Sequence, residues 1–133
     1  MKIKAIYLKA GHKLPPDVIE IDDDIDYREL KKMLNCEHLD TTYRFFGNKR
    51  YTIFCDDEGW LKPRPITTAY SLIEVDKKTD KLEPALCGNL IICGFPKNEL
   101  PTSLGLRDIV NILRHGTKIR DYYALLFLEN YGN

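Results

Sequence analysis

The sequence predicts a single α+β domain: a mostly antiparallel sheet of about five or six strands with two or three short helices. Three observations lead to this prediction. Apolar and polar residues alternate in several short stretches, which is typical of half-buried strands. Glycine- and proline-containing segments separate these stretches, as turn residues do. Other stretches repeat apolar residues every three or four positions, the spacing of an amphipathic helix.

Six stretches have the composition of strands. Alternation is clearest in the first, where Ile3, Ala5 and Tyr7 are interleaved with other residues. Segments 11–16 and 47–50 contain the glycine, proline and asparagine residues of turns, so each should join two strands into a hairpin. The predicted strands cover residues 2–9, 17–21, 41–46, 51–55, 71–75 and 89–95. The charged residues 76–83 are expected to form an exposed link.

Helices are predicted in three places. Asp26 and Glu29 have the spacing of a helix N-terminus, and this helix should extend to Asn35. A second helix carries an apolar stripe, and a third, aromatic helix is expected to dock on the sheet or on a neighbouring subunit. The second helix covers residues 105–115 with Leu106, Ile109, Val110 and Leu113 in its stripe, and the third covers residues 118–129. We therefore expect a sheet domain over residues 1–116 and a C-terminal helical extension over residues 117–133.

Charge and hydropathy narrow the function classes. Lysine plus arginine number 20 and aspartate plus glutamate number 20, so no net charge favours general nucleic-acid binding. No apolar stretch approaches the ~20 residues of a membrane span, and the first residues do not have the pattern of a secretory signal. We expect a cytoplasmic protein that binds neither membranes nor nucleic acid in general.

Catalytic motifs are missing from the sequence. The four cysteines form no C-x-x-C pair and the three histidines are scattered, so neither a zinc site nor a nucleophile with a neighbouring base is predicted. Carboxylates at Asp56, Asp57 and Glu58 are candidates for Mg²⁺ binding in a metal-dependent phosphoesterase, but a solvated turn explains the same residues. We expect no enzyme, no metal and no cofactor.

Two groups of residues are candidate anion-binding sites. On the second helix, Arg107, Asn111 and Arg114 should lie opposite the apolar stripe, where two guanidinium groups would grip phosphates. A solvated helix face is the alternative explanation.

The second group surrounds the hairpin of residues 41–55. Arg44, Phe46, Arg50 and Tyr51 combine guanidinium groups with aromatic rings, which would stack a base and hold its phosphate. Aromatic core packing with exposed arginines is the alternative. Arg64, between two prolines, is a third possible anion contact on a rigid loop.

Three motifs occur together in this sequence: residues 55–59 (C-D-D-E-G), the glycine-flanked strand 88–94 and the helix start 102–104. With these motifs the chain resembles, over residues 1 to about 115, a small uncharacterised domain of phages and mobile elements that is known only as a domain of unknown function. One departure is that the Asn-Arg pair usual in the family is replaced by Pro63–Thr68. The resemblance implies an antiparallel sheet with a few helices and a phage or prophage origin, but no activity.

These observations favour a phage-encoded, non-enzymatic binding protein that forms a homo-oligomer and sequesters a small anionic host signal. A cyclic nucleotide of an anti-phage defence pathway is the expected ligand, by analogy with small phage proteins that act as sponges for such signals. The alternative is a protein-interaction module that inhibits a host or phage enzyme through its aromatic C-terminal helix.

Overall fold

The computed structural model describes residues 1–9, 17–58, 75–76, 81–82, 86 and 88–114. Within these residues the chain forms a mostly antiparallel sheet with one helix against each face, so the predicted α+β fold with five or six strands is confirmed. Two helices lie in the described part, and the predicted helix over residues 118–129 falls outside it. No described helix is long and apolar enough to cross a membrane.

The described elements follow the predicted order with small differences in their bounds, and the predicted strand 71–75 lies outside the described residues except for Val75. The strands are β1 (Lys2–Leu8), β2 (Asp17–Asp22), β3 (Leu39–Phe46), β4 (Lys49–Asp56), β5 (Val75–Asp76), β6 (Lys81–Leu82), β7 (Leu90–Lys97) and β8 (Leu100–Thr102). The helices are α1 (Tyr27–Leu34) and α2, whose described part covers residues 106–114. The main sheet has the order β2-β1-β7-β4-β3, and β8 pairs with β7.

Both predicted hairpins are present. The β1–β2 pair runs in register from Lys2 opposite Asp22 to Tyr7 opposite Asp17. In the β3–β4 pair, Phe46 lies opposite Lys49, which reduces the predicted four-residue connector to two residues. The first of these, Gly47, has a φ of 67°, a backbone conformation that glycine adopts at little cost. The tight turn fixes which side chains of β3 and β4 share a face.

Helix α1 begins and ends where its capping residues place it. The carboxylate of Asp26 accepts a hydrogen bond from the first turn, and Asn35 closes the helix with a left-handed φ of 52°. The hydroxyl of Tyr7 and the amide of Asn89 donate to carbonyls of the last turn at 2.6 and 3.0 Å. These two side chains tie the end of α1 to β1 and to the start of β7.

The sheet buries an apolar layer on each face. Side chains of alternating strand positions form the two layers, as the period of two requires. The layer under α2 contains Ile6, Leu8, Phe46, Tyr51, Ile53, Cys55, Leu90, Ile92, Leu104 and Ile112. The layer under α1 contains Ile3, Ala5, Ile21, Leu30, Leu34, Phe54, Ile91 and Cys93. We call these the α2 face and the α1 face of the sheet.

Two short strand pairs differ from the sequence prediction. The segment 76–83, expected to be an exposed link, contains β6, which pairs with β5 through Val75–Leu82 and Asp76–Lys81. Strand β8 was not predicted. It follows a two-residue turn in which Asn98 and Glu99 have φ values of 53° and 69°. Because a glutamate seldom adopts this conformation, the turn has no ordinary sequence signal.

Helix α2 packs on the sheet with only part of the predicted stripe. Leu106 and Val110 are 78% and 49% exposed, whereas Ile112 is 1% exposed. Two polar side chains decide this orientation, because Asp108 and Asn111 form hydrogen bonds with the β3–β4 hairpin. Of the predicted stripe of Leu106, Ile109, Val110 and Leu113, Ile109 packs against the core, whereas the prediction was wrong for Leu106 and Val110.

Candidate ligand-binding surface

An arginine surrounded by three aromatic rings lies on the α1 face, near the β3–β4 turn. The Arg50 Cζ atom is 5.3 Å from the ring centroids of Phe45 and Phe95 and 6.0 Å from that of Tyr43. The Tyr43 and Phe95 rings meet edge to face with centroids 5.5 Å apart. We call these four residues the aromatic–arginine cluster.

Strand pairing explains why the cluster forms. Tyr43 and Phe45 are alternate residues of β3, and Phe45 lies directly opposite Arg50 in β4. Phe95 follows Gly94, the last residue of β7 that pairs with β4. Three neighbouring strands therefore bring the four side chains together on one face, without any long loop.

The rings of the cluster remain open to solvent. Tyr43, Phe45 and Phe95 are 41%, 46% and 42% exposed, so each ring offers part of its surface to another molecule. Arg50 is also exposed, and among the described residues no carboxylate forms an ion pair with it. A guanidinium group that stacks on rings keeps its charge and its N–H donors for an anion. The cluster can therefore contact both a planar ring and a phosphate.

The hairpin residues predicted from the sequence are separated by the pleat of the sheet. Arg50 is in the cluster, whereas Phe46 and Tyr51 lie on the α2 face and are 0% and 1% exposed. Arg44 lies opposite Tyr51 and also projects to that face. The prediction that Phe46 and Tyr51 stack a base beside Arg50 is corrected: their rings are core residues, and the exposed rings of β3 are Tyr43 and Phe45.

The helix residues predicted to bind an anion are also divided. Arg107 and Arg114 are exposed on α2, as expected. Asn111 is not held between them as a phosphate contact, because its amide donates to the Phe46 carbonyl at 2.6 Å and to the Tyr51 hydroxyl at 3.2 Å. The remaining predicted contact, Arg64, lies outside the described residues.

A polar network under α2, which the sequence analysis did not identify, holds the helix on the hairpin. Asp108 accepts hydrogen bonds from Lys49 Nζ at 2.7 Å, from the Tyr51 hydroxyl at 2.8 Å and from the Gly105 N–H at 2.8 Å. Burial by itself raises the pKa of Asp108, but these three hydrogen bonds and the charge of Lys49 together hold the pKa below its ordinary value. Its sequence signal is a carboxylate three residues after Gly105, the residue before α2, which is the spacing of a capping box.

A comparison with protein families shows which family the chain belongs to. A family model described as a domain of unknown function, DUF3846, matches residues 1–115. The chain belongs to this family. A search of curated proteins and a search of solved structures each found no match. The DUF3846 match includes every described helix and strand, so the aromatic–arginine cluster lies within the family domain.

Two of the described cysteines in the DUF3846 domain are buried thiols. Cys55 and Cys93 are free and buried. Burial, together with the charge of Asp40, raises the pKa of Cys55 to about 12, and burial raises that of Cys93 to about 12. Both groups are therefore protonated at neutral pH and make poor nucleophiles or metal ligands.

The acidic turn after β4 has a structural role. One carboxylate oxygen of Asp56 accepts from the Glu58 N–H at 2.9 Å, as is common in turns. Glu58 lies 3.6 Å from His38 Nε2, and the Asp57 N–H donates to the His38 carbonyl. Among the described residues, no group of three or more histidine, cysteine or acidic side chains is placed to hold a metal ion.

An open depression of about 400 Å³ lies at the C-terminus of α1. Its lining includes Lys31, Lys32, Asn35, Cys36 and Glu37. The last carbonyl groups of a helix carry partial negative charge, which disfavours an anion despite the two lysines. The aromatic–arginine cluster is the better candidate for a ligand that carries a phosphate.

Proposed function

We propose that this DUF3846 domain is a phage-encoded, non-enzymatic binding protein that sequesters a small anionic signal in the host cytoplasm. A cyclic nucleotide of an anti-phage defence pathway is the ligand that the proposal names. The observation that carries it is the Arg50 guanidinium within 6.0 Å of three exposed aromatic rings. The binding surface is the aromatic–arginine cluster.

The chemistry of the cluster matches both parts of a nucleotide. A base stacked on an aromatic side chain contributes about 1–3 kcal/mol, whatever its sequence identity. A guanidinium group forms two parallel, charge-assisted hydrogen bonds with a phosphate. Because the rings already position Arg50, little side-chain freedom is lost when a phosphate binds.

Exposure of the rings supports a binding role over a purely structural one. Large aromatic side chains stabilise a fold chiefly by being buried, and each of these three leaves more than 40% of its surface exposed. The core of the α1 face follows the usual pattern, since the ring of Phe54 is 5% exposed there. The open rings therefore contribute less to folding than they can contribute to a complex.

The proposal is tested by calorimetry with a panel of cyclic di- and trinucleotides. We expect the wild-type chain to bind at least one of them and the Arg50→Ala variant to bind it at least tenfold more weakly, a loss of about 1.4 kcal/mol. Phe45→Ala should have a similar effect through lost stacking. Recovery of intact ligand after heat denaturation distinguishes binding from hydrolysis.

Arg28→Ala is the matched control, because Arg28 is an exposed arginine on α1, outside the cluster. It should leave the affinity unchanged. No heat of binding across the panel at high micromolar ligand contradicts the proposal, and so does a ligand whose affinity falls equally in the two arginine variants.

A second candidate function is protein binding, with inhibition of a host or phage enzyme. The observation that favours it is the apolar side of α2, where Leu106 and Val110 are 78% and 49% exposed beside Arg107. Apolar side chains flanked by arginine are common at protein interfaces. The aromatic C-terminal helix that the sequence analysis assigns to this role lies outside the described residues.

A further inference from the structure

Strand β3 lies at an edge of the main sheet. In the described part of the chain its one strand neighbour is β4, and all eight residues pair in continuous register without a bulge. Its sequence, LDTTYRFF, contains no proline and no lysine. Natural edge strands are usually short, bulged or blocked by such residues, because a long regular edge pairs with other strands. The β3 edge has the properties of an interface.

The charges of β3 favour pairing of this edge with the β3 strand of a second copy of the chain. When two β3 strands pair antiparallel about a two-fold axis at Thr42, residues equally far before and after Thr42 lie opposite each other. Asp40 of each copy then lies opposite Arg44 of the other, and both side chains are on the α2 face. Opposite charges in directly paired positions stabilise a sheet, and two such pairs form at once.

The other edge of the sheet gives no such pairing. Strand β2 has the sequence DVIEID, with acidic residues at Asp17, Glu20 and Asp22 and no basic residue. An antiparallel pair of two β2 strands would bring carboxylates together, which destabilises the pair. Charge therefore distinguishes the β3 edge from the β2 edge.

We propose that the chain forms a two-fold dimer in which the β3 strands of two copies pair antiparallel, with Asp40 opposite Arg44. Leu39 then lies opposite Phe45, and Thr41 lies opposite Tyr43, on the α1 face. The two main sheets become one continuous sheet across the axis.

The dimer joins the two aromatic–arginine clusters into one surface. Tyr43 of one copy and Tyr43 of the other become diagonal neighbours, about 7–8 Å apart across the axis. In this part the inference rests on the proposed function: a cyclic dinucleotide has two bases and two phosphates, and the joined surface offers a cluster to each half. One ligand should bind per two chains.

Charge exchange tests the dimer in the absence of ligand. The wild-type chain, of 15.5 kDa, should have about twice that mass in sedimentation or light scattering at 100 µM. The Asp40→Arg variant and the Arg44→Asp variant should each be monomeric, because like charges then face each other twice. An equimolar mixture of the two variants should recover the dimer mass, because both opposed pairs are again complementary.

Glu20→Arg is the control, since it makes the same change of charge on the opposite edge. It should remain dimeric. A monomeric wild type, single variants that stay dimeric, or a mixture that stays monomeric overturns the dimer. Calorimetry on the same samples keeps the two proposals separate: a dimer that binds no cyclic nucleotide contradicts the proposed function alone, and binding with one ligand per chain contradicts the joined surface.

Discussion

Removal of the Asp108 carboxylate should destabilise the domain more than any exposed ion pair can. In Asp108→Ala the Tyr51 hydroxyl, on a residue 1% exposed, loses its acceptor, and a buried unsatisfied donor costs about 1–3 kcal/mol. The Gly105 N–H loses its capping partner, which costs about 1 kcal/mol. The ion pair adds little, because the Lys49 side chain is 62% exposed and solvent screens it. We expect a loss of about 2–4 kcal/mol in the free energy of unfolding.

Urea denaturation at pH 7, followed by circular dichroism, measures this loss. Lys49→Ala is the matched comparison and should lower the free energy of unfolding by less than about 1 kcal/mol. A double-mutant cycle with Tyr51→Phe isolates the buried hydroxyl. In the phenylalanine background there is no Tyr51 hydroxyl to lose its acceptor, so Asp108→Ala should cost at least ~1 kcal/mol less than in the wild type. Equal costs in the two backgrounds, or a cost no larger than that of Lys49→Ala, would refute this reasoning.

The lowered pKa of Asp108 predicts that the stability of the domain depends on pH. The pKa of Asp108 is lower in the folded chain than its ordinary value, so the folded state binds fewer protons than the unfolded state as this group titrates. Its contribution is fully present above the ordinary pKa of an aspartate, about 4, and is lost as the pH falls through the folded value. The difference in stability between the wild type and Asp108→Asn should therefore narrow below about pH 4. A difference that widens in acid contradicts the assignment.

Two further changes test the β7–β8 turn and the exposed side of α2. Glu99→Gly should raise the free energy of unfolding by about 0.5–1 kcal/mol, because glycine adopts the φ of 69° without the steric cost that glutamate bears. A lower free energy of unfolding in urea denaturation would argue against a strained turn. Leu106→Ser with Val110→Ser should leave the unfolding temperature within about 2 °C and cyclic-nucleotide affinity unchanged, since both side chains are largely exposed. Loss of an enzyme-inhibiting activity in that double variant would favour the protein-binding candidate.

Much of the fold follows from local sequence signals. The alternation in β1, the caps Asp26 and Asn35 of α1, and the glycine between β3 and β4 each act over a few residues, so they can be recognised without knowledge of the tertiary structure. Strand β8 could not be predicted in this way. Its turn places Glu99 at a left-handed φ, and the pairing with β7 decides that conformation.

The orientation of α2 shows why apolar periodicity alone was insufficient. Leu106 and Val110 have the spacing of a core stripe, but Asp108 and Asn111 have partners on the hairpin that satisfy buried polar groups. An unsatisfied buried hydroxyl or carbonyl costs as much as the burial of an apolar side chain contributes, so these contacts can determine the rotation of a short helix. No spacing rule within the helix reveals partners 57 and 65 residues away in the sequence.

The sequence analysis chose its candidate residues in the hairpin that also carries the aromatic–arginine cluster, but two of them lie on the opposite face of the sheet. Arg50 was identified, but Phe46 and Tyr51 were chosen beside it, while the exposed rings are Tyr43 and Phe45. A run of aromatic residues such as Phe45-Phe46 is compatible with either face until the register is known, and a shift of one residue moves every side chain to the other face. The two-residue turn at Gly47 fixes that register.

The dimensions of the elements explain why this end of the α1 face is open. Helix α1 has eight residues, or about 12 Å, whereas the eight residues of β3 extend about 26 Å. The helix therefore covers one half of the strand, where Leu39 joins its core, and leaves the half that contains Tyr43 and Phe45. Stability alone would favour polar side chains on the uncovered half. Three aromatic rings around an arginine, beside a regular strand edge, are instead the side chains that a base, a phosphate and a second copy of β3 would contact.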